Sequence, residues 1–177
     1  TVLTSFHQAH YRFLFEQAGL PDGIWMYEDL GYKHRLFCSP DTCRRLFFPY
    51  YRQMVDFFHS FDLPVVLHSC GYTEPLLDLI IETGFDALNP MEVKAGNDPL
   101  RIAERCGGKL VLIGGLDARI LESRDPNLIR THVGALIDGM KARGARYIFG
   151  SDHSLSTIIR YRDFQAAHEA YREHMAY

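Results

Sequence analysis

No stretch of this 177-residue chain stays apolar for the roughly 20 residues that a membrane-spanning helix needs, so a transmembrane segment is excluded. The opening Thr1-Val2-Leu3-Thr4-Ser5-Phe6-His7 lacks a charged start and an uninterrupted apolar core, and so does not read as a secretory leader. It begins on threonine rather than methionine, as a processed chain or a fragment would. Charge is nowhere blocked. With 19 Lys+Arg against 22 Asp+Glu, a net charge of −3 and a pI near 6.3, there is no basic stripe for nucleic acid or an anionic membrane. Even Arg44-Arg45 reads as a solvated pair. Cysteine is scarce: Cys38, Cys43, Cys70 and Cys106 lack the spacing of a secreted disulfide framework, so a reducing, cytoplasmic setting is expected. Low-complexity segments, sequence repeats and linker-like composition shifts are also missing, so a single domain over residues 1–177 is expected.

What is present is a rhythm of strand and helix. A helix over Ser5–Ala18 stops at Gly19, and a β-prone run Gly23–Tyr27 ends in Glu28-Asp29. After a loop, Ser39-Pro40-Asp41 opens a long helix to about residue 60, bent at Pro49, and the strand Leu63–Leu67 runs into His68-Ser69-Cys70-Gly71. Helix Glu74–Thr83 precedes strand Ala87-Leu88 and the segment Asn89-Pro90-Met91-Glu92. Helix Pro99–Cys106 precedes strand Leu110–Ile113, which breaks at Gly114-Gly115 before Leu116-Asp117. Helix Asn127–Arg143 precedes strand Arg146–Phe149 and Gly150-Ser151-Asp152-His153, and helix Tyr161–His174 closes the chain. Five strands alternating with helices predict an α/β fold with a parallel sheet and right-handed crossovers. A closed (β/α)₈ barrel takes about 250 residues, so this length implies a partial barrel or an open sheet.

In such folds the site lies at the carboxyl ends of the strands. Those ends carry Glu28 and Asp29, His68 and Cys70, Glu92, Asp117, and Asp152 with His153. His68 and Cys70 stand at i and i+2, a spacing that on a strand puts both side chains on one face. Imidazole and thiolate are zinc ligands, and a catalytic zinc takes three protein ligands with one position open. The plainer alternative is that both residues cap a buried strand. His7 and His10 read as a solvated helix face, and Cys38 and Cys43 as inert thiols. The aromatic cluster Phe47, Phe48, Tyr50, Tyr51, Phe57 and Phe58 exceeds what one helix needs for packing. Part of it is expected to meet absent units or a second copy in a homo-oligomer.

The ordered segments His68-Ser69-Cys70-Gly71, Leu88-Asn89-Pro90-Met91-Glu92-Val93-Lys94-Ala95-Gly96, Gly114-Gly115-Leu116-Asp117 and Gly150-Ser151-Asp152-His153-Ser154 resemble the C-terminal part of the uroporphyrinogen decarboxylase-like superfamily, which includes zinc-dependent, corrinoid-linked methyltransferases. The resemblance covers about residues 24–171. It implies a partial (β/α)₈ TIM barrel, its last five strands, without the N-terminal βα units. It also implies zinc on His68 and Cys70, activating a small-molecule thiol for methyl transfer from a corrinoid on a partner protein or from another donor. The methyltransferase branch takes its third zinc ligand from a cysteine after the last strand; here Ser151-Asp152-His153 stands there, leaving His153 or Asp152 for the role. Glu92 would orient a ligand or bind substrate, or else pair with Lys94. Asp117 and Asn89 would contact substrate, Asp117 alternatively capping a helix. Glu28 and Asp29 would act as acid or base or complete the metal shell. The decarboxylase branch relies on an N-terminal arginine-bearing segment and an early aspartate with no counterpart here, so a lyase acting on a carboxylated substrate is the alternative. A non-catalytic binding module stabilised by association is the third reading.

Overall fold

The computed structural model describes residues 2–176. Thr1, on which the processing expectation rests, and Tyr177 lie outside them. Helix α1 (Val2–Ala18) leads into β1 (Ile24–Tyr27) and a short hairpin, β2 (Gly31–Tyr32) and β3 (Arg35–Leu36). Helices α2 (Pro40–Leu46) and α3 (Phe48–His59) precede β4 (Val65–His68), a 3₁₀ turn (Glu74–Leu76) and α4 (Leu77–Thr83). Then come β5 (Ala87–Asn89), α5 (Pro99–Cys106), β6 (Val111–Leu116), α6 (Ala118–Glu122), α7 (Pro126–Ala142), β7 (Arg146–Ser151) and α8 (Tyr161–His174). Five strands form one parallel sheet in the order β1-β4-β5-β6-β7, and β2-β3 pair antiparallel apart from it.

The sheet is covered on one face. The cross-strand row Met26, Leu67, Leu88, Leu112 and Tyr147 belongs to a core shared with Val55 and Phe58 of α3, Ile80 of α4, Ile102 of α5 and Met140 of α7. Each fully buried aliphatic or aromatic side chain there contributes about 1.5–3 kcal/mol of transfer free energy. The opposite face carries Trp25, Tyr27 and Ile148, which are 44%, 73% and 53% exposed. Helices on one face only, with an apolar second face, describe a segment of barrel wall rather than a doubly wound sandwich. A second apolar cluster, Leu116, Leu121, Ile129, Val133, Ile137 and the alanines of α8, packs α6, α7 and α8 together.

The helix starts follow a sequence signature. Ser39, Asp98 and Asp125 each precede a proline, and each side chain accepts a backbone N–H from the first turn of α2, α5 or α7. Three expectations need correction. The long helix from Pro40 does not bend at Pro49 but breaks at Phe47, because Pro49 has no N–H to continue the ladder and its ring would meet the carbonyl of Arg45. Strand β6 does not stop at the diglycine but runs through it to Leu116, pairing Gly115 with Gly150 and Leu116 with Ser151. Gly114 and Gly115 adopt φ of +101° and +79°, and a Cβ on Gly114 would lie 2.6 Å from the carbonyl oxygen of Pro90. The segment after Asp29, expected as a loop, is the hairpin β2-β3.

That hairpin lies backbone to backbone on the turn after β4. A Cβ at Gly31 would stand 2.6 Å from Tyr72 N, and one at Gly71 would overlap the Gly31 carbonyl carbon. Glycine is required on both sides of this contact. In urea unfolding Gly31→Ala is expected to cost about 1–3 kcal/mol or more through overpacking. At Gly150, where a Cβ would meet nothing nearer than Gly114 Cα at 3.7 Å, the same substitution is expected to cost less than about 1 kcal/mol.

Candidate functional site

Parallel pairing delivers the chemistry-bearing residues to one edge. The register sets Tyr27, His68 and Asn89 side by side in a single cross-strand row, on the face the helices leave uncovered. The Tyr27 ring lies 4.8 Å from that of His68, tilted by 40°, and His68 Nδ1 is 2.7 Å from Asn89 Oδ1. On its other side, Asn89 Nδ2 donates to the Ile113 carbonyl of β6. Two residues past His68, Cys70 Sγ sits 3.4 Å from His68 Nε2. The expected i, i+2 convergence of His68 and Cys70 is therefore what the strand end produces.

The turn that carries Cys70 is held by carboxylates. Asp29 Oδ1 accepts the Cys70 N–H at 2.9 Å, and Glu92 Oε2 accepts the Gly71 N–H at 2.6 Å. Ser69 Oγ accepts the Leu30 N–H, tying the hairpin to the same turn. The buried Asn97 side chain donates to the carbonyls of Gly71 and Glu92 and accepts from the N–H groups of Thr73 and Glu74. Asn97 and Ser69 escape the sequence reading. The only signal for Asn97 is its place after Gly96, which turns the chain with φ +108°.

Two groups of three side chains bring their ligand atoms within 4.8 Å of one another, and Cys70 belongs to both. One joins Asp29, His68 and Cys70; the other joins Cys70, Glu92 and His153. His153 Nε2 stands 4.0 Å from Glu92 Oε1, and Lys94 Nζ 3.7 Å from the same oxygen. His153 Nδ1 is buried without a hydrogen-bond partner, alone in this among the described residues. Burial, then the charges of Asp29 and Glu92, push the Cys70 thiol up to about 11, with Lys94 opposing. A cation at this point would reverse that balance.

The donor set fits zinc. Sulfur, imidazole nitrogen and carboxylate oxygen are its ligands, and bond lengths of about 2.3 and 2.0–2.1 Å at a tetrahedral ion imply an S···N separation of about 3.6 Å, close to that between Cys70 and His68.

The other expected site residues have partners of their own. Asp152, 1% exposed, accepts the Val93 N–H with one oxygen at 2.8 Å and the Ala118 N–H with the other at 3.0 Å. It clasps the loops after β5 and β6 and stands outside both ligand groups. Asp117 caps α6 and pairs with Arg119 at 2.6 Å. Burial alone would raise its carboxyl, but the hydrogen bonds from the Arg119 side chain and N–H outweigh this and hold it below the usual range. The Tyr51 hydroxyl, near Glu28, is pushed up by burial and by that carboxylate. Both line a groove of about 550 Å³ between α1, α3 and the free edge of β1, together with Trp25, Tyr11 and Phe58. Asn89, expected to touch substrate, is in contact with His68.

A one-sided α/β sheet with thiol, imidazole and carboxylates at its carboxyl edge defines a (β/α)₈-type barrel segment with a candidate metal centre. The chain belongs to the uroporphyrinogen decarboxylase (URO-D) family, whose model matches residues 26–174. Among solved structures it is similar to a methyltransferase from Methanosarcina mazei, at 20% identity and a TM-score of 0.69, over 96% of this chain and 47% of that one. It is also similar to an uncharacterized protein, at 13% identity and a TM-score of 0.50, over 92% of this chain and 42% of that one. The chain thus spans a little under half the length of these structures, and the likeness establishes a partial barrel fold. No curated protein matches it. Among the described residues no helix is long and apolar enough to cross a membrane.

The contrast between Asp152 and the ligand groups is testable by unfolding. Asp152→Ala strips two partly buried N–H groups of a charged acceptor, each worth about 1.5–3 kcal/mol, so a loss of about 3 kcal/mol in urea denaturation is expected.

Proposed function

We propose that this chain carries the metal centre of a zinc-dependent methyltransferase, which acts on a small-molecule thiol with a methyl group from a corrinoid-bearing partner protein or another donor. The observation that carries the reading is the position of Cys70 Sγ, common to both ligand groups and 3.4 Å from His68 Nε2. His68 and Cys70 would hold the ion, with Asp29 completing their ligand group, and Glu92 and His153, which form the second group with Cys70, are the alternative donors. Bound zinc supplies Lewis acidity that lowers the pKa of a coordinated thiol and makes it nucleophilic near neutral pH.

The chain's own groups favour this over the lyase alternative. Asp29 and Glu92 stand at the ligand groups with Lys94 as the near cation, so the floor of the site is negative. Such a floor attracts a divalent ion and repels a carboxylated substrate. Tyr27 packs against the His68 ring and presents an apolar flank to whatever approaches from the open face. The four cysteines are free, in keeping with a reducing, cytoplasmic setting.

Metal analysis of the purified chain is expected to give about one zinc per chain, with His68→Ala and Cys70→Ser each weakening zinc more than about 100-fold in chelator competition. Methyl transfer from methylcobalamin to a small thiol is expected to disappear in the same variants. A folded wild type that takes up no zinc would sink this reading, and decarboxylation that survives His68→Ala would favour the lyase.

Zinc binding is also expected to depend on pH. The Cys70 thiol, pushed up to about 11, holds its proton throughout the neutral range, and zinc needs the thiolate. Each unit rise in pH below that value makes the thiolate about tenfold more available, so affinity is expected to climb by up to about tenfold per unit. In Cys70→Ser, competition titrations between about pH 6 and 8 are expected to lose that component of the slope.

A further inference from the structure

We infer that Asn89 is a positioning residue that fixes the imidazole of His68 as the Nδ1–H tautomer and so turns the Nε2 lone pair toward Cys70. The inference rests on the zinc reading for its purpose but on separate geometry for its substance. An imidazole facing an amide oxygen must donate to it, and Asn89 Oδ1 is 2.7 Å from His68 Nδ1. The amide is oriented from its far side, because Nδ2 donates to the Ile113 carbonyl of β6, a group that can only accept. The proton on Nδ1 leaves Nε2 bare in the neutral ring, and Nε2 is the nitrogen 3.4 Å from Cys70 Sγ.

Among the described residues the ring's other polar contact is Cys70 Sγ at Nε2, where a protonated thiol donates and so agrees with the Nδ1–H form. The Tyr27 ring flanks His68 at 4.8 Å and restrains the plane of the imidazole without choosing between its nitrogens. The row Tyr27, His68 and Asn89 comes from the register β1-β4-β5, so three neighbouring strands define the orientation of one ring. This is the arrangement by which a hydrogen bond on one imidazole nitrogen readies the other for a metal.

The test is long-range ¹H–¹⁵N NMR of histidine-labelled, metal-free chain at about pH 8, where an unperturbed imidazole is neutral. Wild-type His68 is expected as Nδ1–H. In Asn89→Leu, which fills the space without an acceptor, it is expected to shift toward Nε2–H, and in Asn89→Asp, which restores an acceptor, to return. Zinc affinity by chelator competition is expected to fall about 10–100-fold in Asn89→Leu and to recover in Asn89→Asp. Finding Nε2–H in the wild type overturns the inference even if neither variant folds. So does an Asn89→Leu protein with tautomer and affinity unchanged. A wild type that shows Nδ1–H yet binds no zinc supports the positioning role and removes the metal reading instead.

Discussion

The turn Ser69–Gly71 is the point on which this site depends. It follows β4 directly and is overlain by the hairpin at Gly31, and its N–H groups find acceptors within the protein. Asp29 and Glu92 supply them, while Asn97 secures the Gly71 carbonyl from below. Meeting the turn's backbone needs with carboxylates has an electrical consequence. Burial first, and then this concentration of negative charge around the one thiol in the turn, push that thiol up to about 11. The groups that fold the turn are thus the same ones that the proposed metal centre would draw on.

The acidic residues at the strand ends consequently divide into two kinds. Asp152 and Asp117 satisfy backbone N–H groups or an arginine with both oxygens, and they hold the loops after β5, β6 and β7 in place. Asp29 and Glu92 each give one oxygen to the turn and bring a ligand atom into the groups around Cys70. A ring of acids that looks uniform along the chain is thus a structural pair and a chemically available pair. Burial alone does not separate them, since Glu92 is 8% exposed and Asp152 1%. The geometry of the hydrogen bonds does.

Much of the architecture is legible in the sequence because its punctuation is local. Proline after Ser39, Asp98 and Asp125 starts helices, glycine at 84 and 107 ends them, and α5 and α8 fall where the 3.6-residue pattern puts them. Failures come where distant backbone decides. The run through Gly114-Gly115 reads as a break, yet it stays in the sheet because the Pro90 carbonyl lies too close for any side chain. The hairpin after Asp29 is invisible for a similar reason, its glycine answering to Gly71, forty positions away. For the site, the i, i+2 pair His68 and Cys70 is readable from strand periodicity alone. The role of Asn89 is not, because its contact with His68 follows from register between strands 21 residues apart.

That register also bears on how a metal would act on the fold. His68 and Cys70 belong to β4 and its turn, Glu92 to the loop after β5, and His153 to the loop after β7. Neighbouring parallel strands are joined here across two to six residue pairs, and the carboxyl edge carries only loops. An ion held by Cys70, Glu92 and His153 would tie three of those loops at the edge where the sheet has least of its own cohesion. Its binding free energy would then appear as folding free energy, since the unfolded chain offers no such constellation. The carboxylates that crowd the metal-free turn with charge would then be a standing cost that a bound cation would offset.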